Sequence, residues 1–157
     1  MNRMHPLLLA LTTLSLTTSA SADHLSANLK DFRTVCINTV YEVKGQEDDA
    51  VGNDLFDQMI QRLEDAGIPL ATNPCQEKST AAARQLNLLY TFTSTKSGAA
   101  YLGMLDAWLT TDGKYVEPSL WMDYYYGVPG KDMLEDLAFD VLDNTLEAFT
   151  AAWKQSH

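Results

Sequence analysis

Apolar and polar residues alternate along VCINTVYEV (35–43), a β-branched run that predicts a strand. Val35, Ile37, Tyr41 and Val43 fall on one side, and Cys36, Asn38 and Glu42 on the other. GQEDDAVG (45–52) reads as a polar loop. After it the period changes: Leu55, Met59, Leu63 and Ala66 form a stripe at helical spacing. Asn53 is placed to cap that helix, with Asp54 and Asp57 in the first turn, where the helix dipole favours acids. Gly67 stops it and Pro69 follows. Residues 68–71 are short enough for one strand returning beside the first, and 73–83 carries no period.

Three more strands are expected, at 86–93, 99–109 and within 115–126, punctuated by Ser97-Gly98 and Asp112-Gly113. A tight turn centred on 97–98 opposes Phe92 with Gly103, Tyr90 with Leu105 and Leu88 with Ala107. A tight turn at Asp112-Gly113 opposes Leu105 with Leu120, Gly103 with Met122 and Tyr101 with Tyr124. Both registers gather apolar side chains on one face, as a real meander should. Pro118 is the weak point, where a bulge would shift part of the last strand.

The chain closes on a long amphipathic pattern, Leu134, Leu137, Ala138, Val141, Leu142, Thr145, Leu146, Phe149 and Trp153. Asp132 and Glu135 resemble a capping box at its start. From 132 to 153 such a helix is about 33 Å long, enough to cross a sheet. The expected order is β-α-β-β-β-β-α: an α+β two-layer sandwich, a mixed sheet with two helices on one face.

These registers leave a second face carrying Leu89, Thr91, Leu102, Met104, Asp106 and Trp108, joined by Trp121, Asp123 and Tyr125. Leu120, Met122, Tyr124 and Tyr126 are assigned to the core. A face holding two tryptophans and a tyrosine is too apolar for plain solvation and marks contact. Three readings stand: residues 24–33 or 72–84 fold over it; it meets another protein or a second copy; or it holds a small ligand. Trp108, Trp121, Tyr125, Asp106, Asp123 and Met104 are the candidate binding residues, since rings beside carboxylates suit sugars and cations.

Residues 1–22 read as a signal peptide: Arg3, a short apolar run at 7–16, then Ala20-Ser21-Ala22 as a small-residue cleavage site. About ten apolar residues are too few to span a bilayer. Residues 23–157 are then one domain, exported to the periplasm or the extracellular space. The net charge of −10 argues against nucleic acid and anionic membranes as partners. Cys36 and Cys75, an even pair in an exported chain, suggest a disulfide rather than free or redox thiols. Closing a loop of roughly 40 residues would stabilise the fold by about 3–4 kcal/mol.

Little in the chain offers catalysis. After the leader only His24 and His157 remain, one at each end, so a nucleophile–histidine device has no base inside the fold. Two cysteines do not make a four-cysteine zinc site. No phosphate loop or dinucleotide fingerprint is present, and no cofactor is expected. Asp106 and Asp123 are expected on one face but out of step, which disfavours a tight acid–base couple. Glu47-Asp48-Asp49 lacks the spaced acids of a calcium loop and reads as solvated.

The segments LEDAGIPL (63–70), YLGMLDAWLTTDGKYVEPSLWMDY (101–124) and LAFDVLDNTLEAFTAAW (137–153) resemble a group of small exported bacterial proteins of uncharacterised function. The arrangement is also similar to small periplasmic accessory domains, namely the N-terminal domain of the Tol-system propeller protein and lipoprotein activators of cell-wall synthases. This chain lacks their lipid-acceptor cysteine after the cleavage site. The resemblance implies an α+β accessory domain and supplies no catalytic residues. The expectation is therefore a non-enzymatic binding or accessory module whose outer sheet face meets an unknown protein or forms a homodimer. The alternative is a binder of a sugar, peptide or cation on that same face.

Overall fold

In a computed structural model of the chain, the described residues are 25–71, 75, 84–109, 118–130 and 134–157. The expected leader and the Asp132 cap lie outside them. Five strands, β1 (Thr34–Val43), β2 (Gln46–Glu47), β3 (Gln85–Ser94), β4 (Tyr101–Trp108) and β5 (Ser119–Gly127), form one sheet in the order β2-β1-β3-β4-β5. Helices α1 (Asp49–Asp65) and α2 (Leu134–Ser156) complete an α+β two-layer sandwich. The sheet is mixed: β1 and β3 run parallel, with α1 in the crossover between them, and the other pairs are antiparallel. The expected strand at 68–71 is a single parallel bridge, in which Val35 N–H donates to the Pro69 carbonyl and Ala71 N–H to that of Val35, both at 2.9 Å.

α1 begins five residues before the expected start. Asp48, in an extended conformation, accepts from Ala50 and Val51 N–H at 3.0 and 3.3 Å, so it and not Asn53 is the cap. The acidic run thus splits into the β2 strand, the cap residue and the helix's first residue. Gly67, at φ +75°, ends the helix, and Ile68 N–H donates back to the Leu63 carbonyl. α1 buries Leu55, Met59 and Leu63; α2 buries Ala138, Val141, Leu142, Leu146, Phe149 and Trp153. Across the helix layer, Arg62 grips Asp143 with two bonds of 2.9 and 2.7 Å, and Gln58 adds a third at 2.7 Å.

On the covered face, Tyr41, Phe92 and Tyr101 stack in a row across β1, β3 and β4, with centroids 5.8 and 5.5 Å apart. Gly103 sits under α2, where a Cβ would meet Val141 Cγ1 at 2.6 Å. The buried Tyr90 hydroxyl donates to the Ala138 carbonyl at 2.6 Å, and desolvation pushes its pKa well above the ordinary phenol value. A 3-10 turn, Ser26–Leu29, buries Leu29 beside α2 and β5, and Asn28 Nδ2 donates to the Leu120 carbonyl at 2.8 Å. Residues 25–33 therefore close the sandwich at its β5 side and do not fold over the outer sheet face.

The β3–β4 register is the one expected: Phe92 opposes Gly103, Tyr90 opposes Leu105 and Leu88 opposes Ala107. The β4–β5 register is not. Trp108 opposes Ser119, but Ala107 opposes Trp121, so Leu120 is an extra residue, a β-bulge. Beyond it Leu105 opposes Asp123 and Gly103 opposes Tyr125. Every side chain of β5 after the bulge is therefore on the opposite face from the expected one. Trp121 is 2 % exposed and packs edge-on against Phe149 of α2, centroids 5.2 Å apart. Asp123 and Tyr125 follow it to the helix side, while Met122, Tyr124 and Tyr126 turn outward. Burying an indole removes about 150–250 Å² from water, worth about 4–6 kcal/mol, which outweighs one interrupted ladder position.

Three tests check this packing. Trp121→Ala should cost about 3–5 kcal/mol in chemical denaturation, against under about 1.5 kcal/mol for the half-buried Trp108. Acrylamide should quench Trp108 emission and leave Trp121 emission nearly untouched. Gly103→Ala, which forces a methyl against Val141, should cost about 1–3 kcal/mol. Equal losses at Trp108 and Trp121 would contradict the bulged register.

Candidate functional site

The outer sheet face lies opposite both helices, and strand alternation assigns its members. Cys36, Asn38, Val40 and Glu42 come from β1. Gln85, Asn87, Leu89, Thr91 and Thr93 come from β3. β4 supplies Leu102, Met104, Asp106 and Trp108; β5 supplies Met122, Tyr124 and Tyr126. Of the six residues expected to share this face, Met104, Asp106 and Trp108 do. Trp121, Asp123 and Tyr125 do not: the Leu120 bulge carries them to the helix side. Asp106 and Asp123 consequently lie on opposite faces and form no carboxylate pair. Asp106 instead accepts a hydrogen bond from the Ser119 hydroxyl.

The face has two unlike halves. At one end Cys36, Gln85 and Asn87 are buried, and the Cys36–Cys75 disulfide anchors residue 75 there, with the two Cα atoms 5.3 Å apart. Trp108, Leu89, Asn38 and the disulfide border a cleft of about 150 Å³. Gln85 Nε2 is buried in this half without a hydrogen-bond partner. Of the expected covering segment 72–84, residues 72–74 and 76–83 lie outside the described residues.

The other half is open. Tyr126 is 76 % exposed, Tyr124 49 % and Leu102 37 %, with Met104 and Met122 half-buried between them. The Tyr124 and Tyr126 rings stack, centroids 6.2 Å apart and 25° from parallel. Sequence reasoning missed these tyrosines as surface residues. The one available signal was Pro118, two residues before the bulge.

This half ends at a sheet edge. β5 pairs with β4 on one side, and among the described strands none pairs with its other side. The Leu120 carbonyl, taken by Asn28, and the Tyr124 N–H, held by its neighbour's Asp123 Oδ1 at 2.9 Å, show which backbone groups point out of the sheet. By alternation Met122 and Tyr126 present theirs on that same side.

A second depression, about 500 Å³, lies between β1 and the start of α1 and is bordered by Asn38, Tyr41, Glu47, Asp48, Asp49 and Phe56. Its central carboxylate, Asp48, is already committed to capping α1. Burial, then the nearby Glu135 and Asp48, raises the Tyr41 pKa, so this ring contributes a neutral hydroxyl. His157, the one histidine among the described residues, stacks on Trp153 at 4.2 Å and donates through Nε2 to the Phe32 carbonyl at 2.8 Å. Among the described residues no group of three or more His, Cys, Asp or Glu could hold a metal, and no helix is long and apolar enough to cross a membrane.

No protein-family model and no curated protein matches the chain. One solved structure, described as that of an uncharacterized protein, is similar over 79 % of this chain and 88 % of its own, at 14 % identity and a TM-score of 0.33. A likeness at that level carries no argument about function.

Proposed function

We propose that this protein is a non-enzymatic, exported accessory module that works by contact with protein, through the open half of its outer sheet face. The observation that carries this reading is the patch of Leu102, Met104, Met122, Tyr124 and Tyr126 beside the edge of β5 that no other described strand pairs. Exposed aromatic and methionine side chains gathered on one face are what protein interfaces are enriched in. The leader pattern and the disulfide support export. The engagement of His157 in packing the chain end supports a non-catalytic role. The likeness to small periplasmic accessory domains fits the same reading, as an analogy of fold.

A small ligand beside Trp108 is the weaker reading. The cleft there holds about 150 Å³, against the roughly 300–1,000 Å³ of ordinary ligand pockets.

Site-specific photocrosslinking in the producing cell tests the proposal. A photoreactive residue at position 126 or 102 should give protein adducts, and one at the exposed Gln61 of α1 should give none. Tyr124→Lys should abolish the adducts from position 102. Absence of adducts from both face positions would remove this reading.

A further inference from the structure

Resting on that protein-contact reading, we propose that the partner docks a basic segment on this face, its lysine or arginine side chains lying over Tyr124 and Tyr126 and reaching the carboxylates of Asp106, Glu42 and Glu47. The strand registers place these groups. One row across the outer face runs Glu42, Thr93, Leu102, Tyr126, and β2 extends it with Glu47 directly opposite Glu42. The next row runs Val40, Thr91, Met104, Tyr124, and the one after it ends in Asp106 and Met122. Asp106 is thus one row from the stacked tyrosines. Glu42 is three strands from Tyr126, about 14 Å at the usual strand spacing. The turns that join the strands at this end, 44–45 and 95–100, are described, and they leave Leu102 and Tyr126 exposed.

Charge complementarity selects the occupant. Every charged side chain that the described strands place on this face is an acid: Glu42, Glu47 and Asp106. The nearest described lysines, Lys44 and Lys96, belong to the turns, and Lys44 lies by Gly98 and Leu134 at the start of α2. Among the described residues none of the three acids has an ion pair; Arg62 and Asp143 pair in the helix layer. Asp106 takes the Ser119 hydroxyl on one oxygen, which leaves the other. Glu42 and Glu47 are like charges directly opposite, an arrangement that costs stability and that nothing described offsets. A partner's cation set between them removes that cost on binding. An acidic partner would add to it, and so would a second copy with its own −10.

The rings supply the second half of the recognition. A guanidinium or ammonium over the face of an exposed phenol gains about threefold in affinity, and its alkyl stem covers apolar surface such as Leu102 and Met104. The spacing sets the partner's pattern. A separation of about 14 Å is spanned by about four residues of extended chain. Basic residues four apart in an extended segment therefore meet Tyr126 and Glu42 at once.

Titration of the purified protein with a nonapeptide tests the partner's chemistry. The peptide carries arginine at its first, fifth and ninth positions, serine elsewhere and a neutral dye, and binding is read by anisotropy. It should bind saturably at about 0.05 M salt and at least about tenfold more weakly at about 0.5 M. The same peptide with glutamate for arginine should not bind. Tyr126→Leu and Glu42→Gln should each weaken binding about threefold, and together about tenfold, because sites so far apart act independently. Glu64→Gln, which removes the same charge from the exposed side of α1, should leave binding unchanged. Glu42→Gln should not lower the unfolding midpoint, since it relieves the repulsion with Glu47, so its weaker binding is not a loss of fold. No binding up to about 1 mM, binding indifferent to Tyr126→Leu, or equal losses for Glu64→Gln and Glu42→Gln would overturn the proposal. If position-126 adducts still form in the cell, any of these results sinks the basic partner alone and leaves the contact reading standing. Absence of adducts from both face positions removes both.

Discussion

Leu120 has no partner of its own in the β4–β5 ladder, and the surface of the protein depends on that one unmatched residue. On its amino-terminal side the pairing is Trp108 with Ser119, continued by Leu109 N–H donating to the Pro118 carbonyl. On its carboxyl-terminal side it is Ala107 with Trp121. A strand side chain alternates with period two, so one inserted residue exchanges the faces of everything that follows. Without it Trp121 would stand in solvent beside Asp106, and Tyr124 and Tyr126 would press against α2. With it, Leu120 and Trp121 both reach the core, and two phenols, which tolerate water better than an indole, take the outside.

Most of the layered fold was legible because it is written in periods that tertiary structure has no reason to override. The stripe from Leu134 to Trp153 reads as a sheet-crossing helix, and Leu55, Met59 and Leu63 as a second one. The β3–β4 register was readable because the turn is centred where Ser97-Gly98 predicts. Thr95 N–H still donates to the Ala100 carbonyl at 3.0 Å, and a wider loop around that centre leaves the pairs unchanged. The disulfide followed from an even pair of cysteines behind a leader-like opening segment. Sequence reasoning went wrong at Asn53 because two good caps lay five residues apart. Asp48 won by sitting in extended backbone next to β2.

The candidate site was only half legible. Met104, Asp106 and Trp108 depend on the β3–β4 register and were placed correctly. Trp121, Asp123 and Tyr125 depend on assuming that Asp112-Gly113 makes a two-residue turn. The ladder that does form pairs Trp108 with Ser119 instead of position 117, a change that by itself would have kept Trp121 on the outer face. It is the bulge that turns it inward. Local turn chemistry cannot reveal a bulge; the reason for it is distant in sequence, in the pocket that Phe149 offers the indole.

Among the described residues, the two margins of the sheet are treated differently. At the β1 margin the backbone is occupied repeatedly: β2 pairs with Glu42 and Val43, Asp48 N–H donates to the Tyr41 carbonyl, and Pro69 and Ala71 bracket Val35. Edges are commonly blunted in this way because unpaired strands invite association. At the β5 margin the described contacts are Asn28 on Leu120 and the self-contact of Asp123. Among the described residues, then, one margin carries several separate backbone contacts, and the other carries those of Asn28 and of the Asp123 carboxylate, next to the most exposed tyrosines.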